Sequence, residues 1–337
     1  MLPLRALAEP GVPDPDSRRG LEKDVAFTDY SPLSANAEIV RRLLSPLTAA
    51  QVPAALARAG KQLSGQPVDL AAEKFVLYVP EREPAQGFGL LVFVPPWSRA
   101  LVPSDWVPLF DQLGIVFVAA EDSGNDTSVF ARRSPLALLA EANAAKRYRI
   151  DPQRIYVAGF SGGSRVALRL ALAYPDIFRG AILDAGSDPI GDSTSPLPPK
   201  DLLLRAQETT RFVYVTGGRD TGPLMSERAS MHSLSDWCFF NVDSYAEPFI
   251  AHDVMNAATL SQALKLLSAP AQTNAQELAA CRSKIESDLD SRLNQAEALV
   301  NGGKRDEARR TLLDIDAHFG GLAAPRIVDL FNRLGGS

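Results

Sequence analysis

The chain has 337 residues, 46% of them hydrophobic and 22% charged, with a net charge of −5 at neutral pH. This is ordinary globular usage for one large domain or two modest ones, and it excludes wholesale disorder. No long basic run exists to bind a phosphate backbone, so no nucleic-acid partner is expected, and no stretch of about 18 apolar residues is available to span a membrane. Two cysteines exclude a disulfide-rich scaffold and a Cys-dominated zinc site.

Met1–Ala8 is too short for a secretory signal, yet Ala6-Leu7-Ala8 has the A-x-A form of a cleavage site and a polar, proline-rich stretch follows. Two readings stand. Either this is the tail of a signal peptide, which implies a periplasmic or secreted protein, or it is an ordinary terminus of a cytoplasmic one. Residues 9–32 are proline-rich, with scattered charge and no periodicity, and predict irregular chain. Ser34 is the expected cap of a short helix carrying Ile39, Leu43 and Leu44 and ending near Pro46. Thr48 and Gln51 have capping-box spacing for a second helix over 49–61, and Gly65-Gln66-Pro67 then breaks the chain. Residues 1–71 thus form an irregular segment with two short helices.

From about residue 72 the pattern changes. EKFVLYVP, GLLVFVPP, GIVFVAAED, RIYVAGF, GAILDAG, RFVYVTGG and CFFNVDSYA (238–246) are apolar runs, most of them rich in Val, Ile, Phe or Tyr, and predict strands. Helical stretches separate most of them: one opening at Ser134-Pro135, one over 162–174, and one from Leu260 to Leu267. Continuous apolar strands alternating with helices predict an α/β fold, a largely parallel sheet covered on both faces, over 72–270. After APAQTNAQ (269–276) the strands stop. Leu278, Cys281, Ile285, Leu289, Ala296 and Val300 recur at helical steps, Gly302-Gly303 turns the chain, and Ala308, Leu312 and Ile315 continue on a second helix. A third runs through Ile327, Leu330 and Leu334, making 271–337 a helical appendage.

The chemistry centres on RIYVAGFSGGSRVALRLAL (154–172), where an apolar strand ends at Gly159, Ser161 sits in Gly159-Phe160-Ser161-Gly162-Gly163, and an amphipathic helix begins at once. A serine on so sharp a strand-to-helix turn is strained and exposed, and flanking glycines avoid Cβ clashes with the adjoining strand and helix. Its hydroxyl needs a base to take its proton and an acid to orient that base. Of the three histidines, His252 follows the last strand in a loop just before a helix, while His232 falls on a helix and His318 in the appendage. Asp220 closes RFVYVTGGRD after a strand and a Gly-Gly turn and is the expected acid, with Asp184 and Asp188 after the preceding strand as alternatives. An oxyanion needs two backbone N–H groups: Gly162 offers one. Because Pro95 and Pro96 have no N–H, Trp97 is the first possible second donor, or else a wall of the substrate pocket, or both.

FVLYVPEREPAQGFGLLVFVPP, YRIDPQRIYVAGFSGG, the TGGRD turn and the late AHD histidine together resemble the α/β-hydrolase superfamily. Within it they are similar to the polyhydroxybutyrate depolymerase-like and feruloyl-esterase-like esterases, over about residues 72–268. The resemblance implies an α/β-hydrolase fold and a serine esterase using Ser161, His252 and Asp220 with no metal or organic cofactor, acting on a small-molecule or polymeric ester. The same machinery serves peptidases and acyltransferases. This chain departs from such enzymes at Pro95-Pro96, where they often carry His-Gly, and that departure favours the rival expectation of a catalytically silent fold used for binding. The short link between the strands at 180–187 and 211–217 leaves no room for a large cap; the helices of 34–61 are the one candidate cover. ALVNGGKRDEARRTLLDID resembles a tetratricopeptide-type helix pair, which points either to packing against the hydrolase or to a protein partner. Cys238 and Cys281 are either bridged or two buried thiols.

Overall fold

The computed structural model describes residues 18–270 and 274–335; the signal-peptide question at Met1–Ala8 and part of the 269–276 link lie outside the described residues. Eight strands of the described residues form one sheet: β1 (Gly20–Val25), β2 (Phe75–Val79), β3 (Phe88–Val94), β4 (Ile115–Ala120), β5 (Ile150–Phe160), β6 (Gly180–Asp184), β7 (Arg211–Gly217) and β8 (Val242–Glu247). Their order is β1-β2-β4-β3-β5-β6-β7-β8, with β2 antiparallel to both neighbours and every pair from β4 to β8 parallel. This is the α/β-hydrolase fold. The order reverses between β3 and β5, so the loops leaving those two strands diverge and open a crevice at their carboxyl ends, where open α/β sheets place their ligands.

Among the described residues eleven α-helices accompany the sheet: α1 (Asn36–Leu43), α2 (Pro46–Arg58), α3 (Val107–Leu113), α4 (Ser134–Arg147), α5 (Gly162–Ala173), α6 (Lys200–Thr209), α7 (Thr221–Asp236), α8 (Ala257–Leu267), α9 (Ala275–Asn301), α10 (Arg305–Phe319) and α11 (Arg326–Arg333). Strands β2 to β7 are buried on both faces except for the start of β5, which is why they read as unbroken apolar runs. Leu90, Val92, Val116 and Val157 face one layer, which holds α4 and α5. Leu91, Phe93, Phe117 and Tyr156 face the other, under α3 and α8. No helix of the described residues is long and apolar enough to cross a membrane.

Three expectations are corrected. Residues 9–32 contain β1, an edge strand in which only Val25 is buried, so its charged residues hide the strand pattern. Ser34 does not cap α1; it is buried in a tight turn, its hydroxyl donating to Ser31 O and Gln66 Oε1. The first helix ends at Leu43, near Pro46 as expected, but Pro46 itself opens α2, and the Thr48–Gln51 box is not its start. The α2 amino end is capped from far away: the Asp316 carboxylate on α10 accepts from Leu47 N at 2.9 Å and from Ser45 Oγ at 2.6 Å. Ser134-Pro135 begins α4, but a wide turn over Val129–Arg133, capped by Ser128, leads into it.

The appendage is three helices laid on the body. Leu289, Leu293, Ala296, Leu312, Ile315, Phe319, Ile327 and Leu330 join the same apolar layer as α4 and α5. Arg282 of α9 donates to Gln207 Oε1, Glu208 Oε1 and Leu204 O of α6. Cys238 and Cys281 are bonded to each other, joining the segment before β8 to α9. The α1 helix is pinned to the far end of α5, where Arg42 bonds Asp176 Oδ1 at 2.7 Å and Ala173 O at 3.2 Å. It therefore sits at the opposite end of α5 from Ser161, and the expectation that the early helices cover the site does not hold for α1.

Candidate active site

Ser161 stands between β5 and α5 with φ +53° and ψ −120°, a conformation that non-glycine residues avoid. The strain is held from both sides. Ser161 N donates to Asp184 O at 2.8 Å, pinning the turn to the end of β6. A Cβ at Gly159 would come within 2.2 Å of Gly163 O, and one at Gly163 within 1.9 Å of Val94 O, so neither position tolerates a larger residue. The sharp turn thus depends on glycine, and it presents the serine side chain at the carboxyl edge of the sheet.

Asp220 follows the Gly217-Gly218 turn after β7 and precedes α7, its N–H donating back to Gly217 O at 2.9 Å. The loop after β8 is zipped to this turn by Gly218 N to Glu247 O at 2.8 Å and Arg219 N to Ile250 O at 2.9 Å. Two residues on, His252 meets both predicted partners. Its Nδ1 lies 2.6 Å from Asp220 Oδ2 and its Nε2 lies 2.9 Å from Ser161 Oγ. The imidazole is 46% exposed and the aspartate side chain 12%, so the ring is open to solvent while its partner is sheltered.

The two alternative acids are elsewhere. Asp188 pairs with Arg165 at 2.7 Å and Arg169 at 3.2 Å. Asp184 is buried at the end of β6, where Oδ2 accepts from Met255 N at 2.9 Å, three residues beyond His252. Burial pushes its carboxyl well above the usual carboxylate range, with Glu247 and Asp253 adding to the effect. Among the histidines, His232 is exposed on α7, 3.6 Å from Asp236, and His318 packs its ring 5.1 Å from that of Trp237. Neither approaches Ser161.

Gly162 opens α5, and a helix start leaves its first N–H groups without helical partners and biases the end positive. Trp97 follows Pro95-Pro96 at the exit of β3, the strand beside β5. Its ring lies 6.0 Å from that of Phe160, which in turn lies 4.9 Å from the imidazole of His252. The tryptophan ring thus reaches the imidazole through the ring of Phe160.

Residues that sequence patterns did not single out hold the histidine loop. Trp106 Nε1 donates to Met255 O at 3.0 Å, and the Asp105 carboxylate accepts from Ala257 N at 2.9 Å. Both precede α3, about 150 residues away in sequence, and nothing local marks them. Asp184 did carry a signal, as a carboxylate terminating an apolar strand.

The chain resembles α/β hydrolases, including carboxylic ester hydrolases. It is 33% identical over 107 residues to a poly(3-hydroxybutyrate) depolymerase of Ralstonia pickettii, a match covering 28% of this chain and 22% of that protein. Among solved structures it is similar to an acetyl xylan esterase from Aspergillus awamori, with a TM-score of 0.44, 13% identity, and coverage of 58% of this chain and 94% of the other. It is also similar to an S-formylglutathione hydrolase of Staphylococcus aureus, with a TM-score of 0.45, 10% identity, and coverage of 58% and 92%. No family model matches the chain.

Proposed function

We propose that this protein is a serine hydrolase that cleaves a carboxylic ester through an acyl-enzyme on Ser161. The reading is carried by one observation: an unbroken line from Ser161 Oγ through the imidazole of His252 to Asp220, with contacts of 2.9 and 2.6 Å, on a turn strained to expose the serine. His252 Nε2 takes the Ser161 proton as Oγ attacks the ester carbonyl. Asp220 holds the ring in the tautomer that leaves Nε2 free and stabilises the imidazolium that forms. The N–H groups of Gly162 and Trp97 receive the oxyanion. Collapse breaks the bond to the alcohol oxygen, which leaves with the proton from His252. Water, deprotonated by the same imidazole, then releases the acid and restores the serine. Peptide or acyl-transfer substrates would follow the same course with an amine leaving group or an alcohol acceptor.

Pro95-Pro96 favours a second reading, a silent fold used for binding, because two residues of the loop have no N–H to offer. A fluorophosphonate probe separates the two. Covalent labelling of the wild type, lost in Ser161→Ala, and a fall of about 10⁴-fold or more in hydrolysis of p-nitrophenyl esters are expected of the enzyme. Folded wild type that takes no label and cleaves neither short nor long p-nitrophenyl esters would leave only the binding role.

A further inference from the structure

Arg133 closes the wide turn before α4 and is 3% exposed. Its three guanidinium nitrogens each donate to a backbone carbonyl: Nε to Ser123 O at 2.8 Å, Nη2 to Pro95 O at 2.8 Å and Nη1 to Gly162 O at 3.3 Å. Those carbonyls belong to the segments leaving β4, β3 and β5. One side chain therefore gathers three separate stretches of chain at the carboxyl edge of the sheet. The loop leaving β4 is tied to the one leaving β3 a second time, by Asn125 N to Pro96 O at 2.9 Å.

A buried guanidinium ordinarily has a carboxylate beside it, since an uncompensated charge in a low-dielectric interior is costly. Among the described residues none is bonded to Arg133; Asp126 and Arg169 act on it only through space, with opposite sign. Burial pushes its pKa down to about 10, which still leaves it charged at neutral pH. A neutral donor could satisfy a carbonyl without this cost. The retained charge lies against the carbonyls of Pro95 and Gly162, in the two segments, Pro95–Trp97 and Ser161–Gly162, that carry the candidate oxyanion donors.

On the strength of the esterase reading above, we infer that Arg133 is the positioning residue of the oxyanion site. It fixes the loop leaving β3 against the start of α5 and sets an unpaired positive charge behind both N–H groups. This also gives the Pro95-Pro96 departure a physical sense. A loop with two fewer N–H groups is held by its carbonyl, so that Trp97 N is presented without a His-Gly sequence. Negative charge appears on the substrate oxygen only as the tetrahedral species forms, so the benefit of a charge behind the site falls on kcat and not on substrate binding.

The test compares wild type, Arg133→Met and Arg133→Lys with a p-nitrophenyl ester and with phenylboronic acid, whose serine adduct is a tetrahedral anion. Arg133→Met is expected to lose about 10–100-fold in kcat with KM within about twofold, and to bind the boronate more weakly by a similar factor. Arg133→Lys keeps the charge but cannot reproduce the planar fork, and is expected to lose about tenfold in kcat while still folding. It also decides the matter if the methionine variant does not fold. Wild-type kcat in either folded variant overturns the inference, as does a loss that appears in KM with boronate affinity intact. Failure of both variants to fold overturns it too, since Arg133 then serves folding alone. A wild type inert to ester and probe removes the esterase reading itself, an outcome distinct from an active wild type with equally active variants.

Discussion

Two buried or half-buried aspartates lie close to the candidate base, and they differ in what they touch. Asp220 meets the ring of His252, whereas Asp184 meets the backbone of Met255 further along the same loop. Asp220→Asn removes the charge that orients the imidazole and stabilises its protonated form, so kcat is expected to fall about 10³–10⁴-fold with KM little changed. Asp184→Asn keeps an oxygen to accept from Met255 N, and a carboxyl already pushed toward its neutral form loses little by becoming an amide. A loss of at most about tenfold is expected there. Steady-state kinetics on the two variants would separate them. The meeting of Ser161, Asp220 and His252 was legible because each sits beside a local mark: a glycine-flanked turn, a Gly-Gly turn, a loop between a strand and a helix. Arg133, Trp106 and Asp105 were not. Their partners are brought to them only by the packing of strands far apart in sequence.

Elements were legible where an apolar run marks them. Seven strand runs appear where the apolar stretches predict them: six are strands covered on both faces, with few polar positions to blur them, and the seventh, β8, is an edge strand marked only by the apolar run CFFNV that leads into it. β1 is paired on one edge only, and five of its six residues escape burial. The α2 start was misplaced for another reason. Thr48 and Gln51 have the right spacing, but the donor at Leu47 is met by Asp316, 269 residues away, which no local pattern can report. Asp316→Ala removes that cap and the bond to Ser45 together. A loss of about 1–2 kcal/mol is expected, seen as a fall of a few degrees in melting temperature with the rate on p-nitrophenyl esters unchanged. A melting temperature equal to wild type would show that the α2 amino end is satisfied without α10.

At the scale of the whole molecule, the carboxyl-terminal helices were recognised as helices, but their apolar stripes alone did not reveal that they extend the layer holding α4 and α5. Stability also has a pH dependence that can be read from one group. Burial, with Asp176 nearby, raises the Glu141 carboxyl on α4 from 4.5 to about 7. The folded chain then holds this proton more tightly than the unfolded one. Its contribution is complete below pH 4.5 and is lost as pH rises through about 7. Glu141→Gln is therefore expected to melt higher than wild type at pH 8 and to match it near pH 4.5. Equal melting curves at pH 8 would contradict this. The bond between Cys238 and Cys281 has a further consequence, because it closes a covalent ring across a separation of 43 residues, and His252 lies inside that ring. A protease cutting once anywhere between the two sulfurs would leave a single particle of unchanged mass apart from one added water. The severed ends would part only when a thiol reagent opened the ring, so the stretch bearing the imidazole remains tethered to its serine even in a nicked chain.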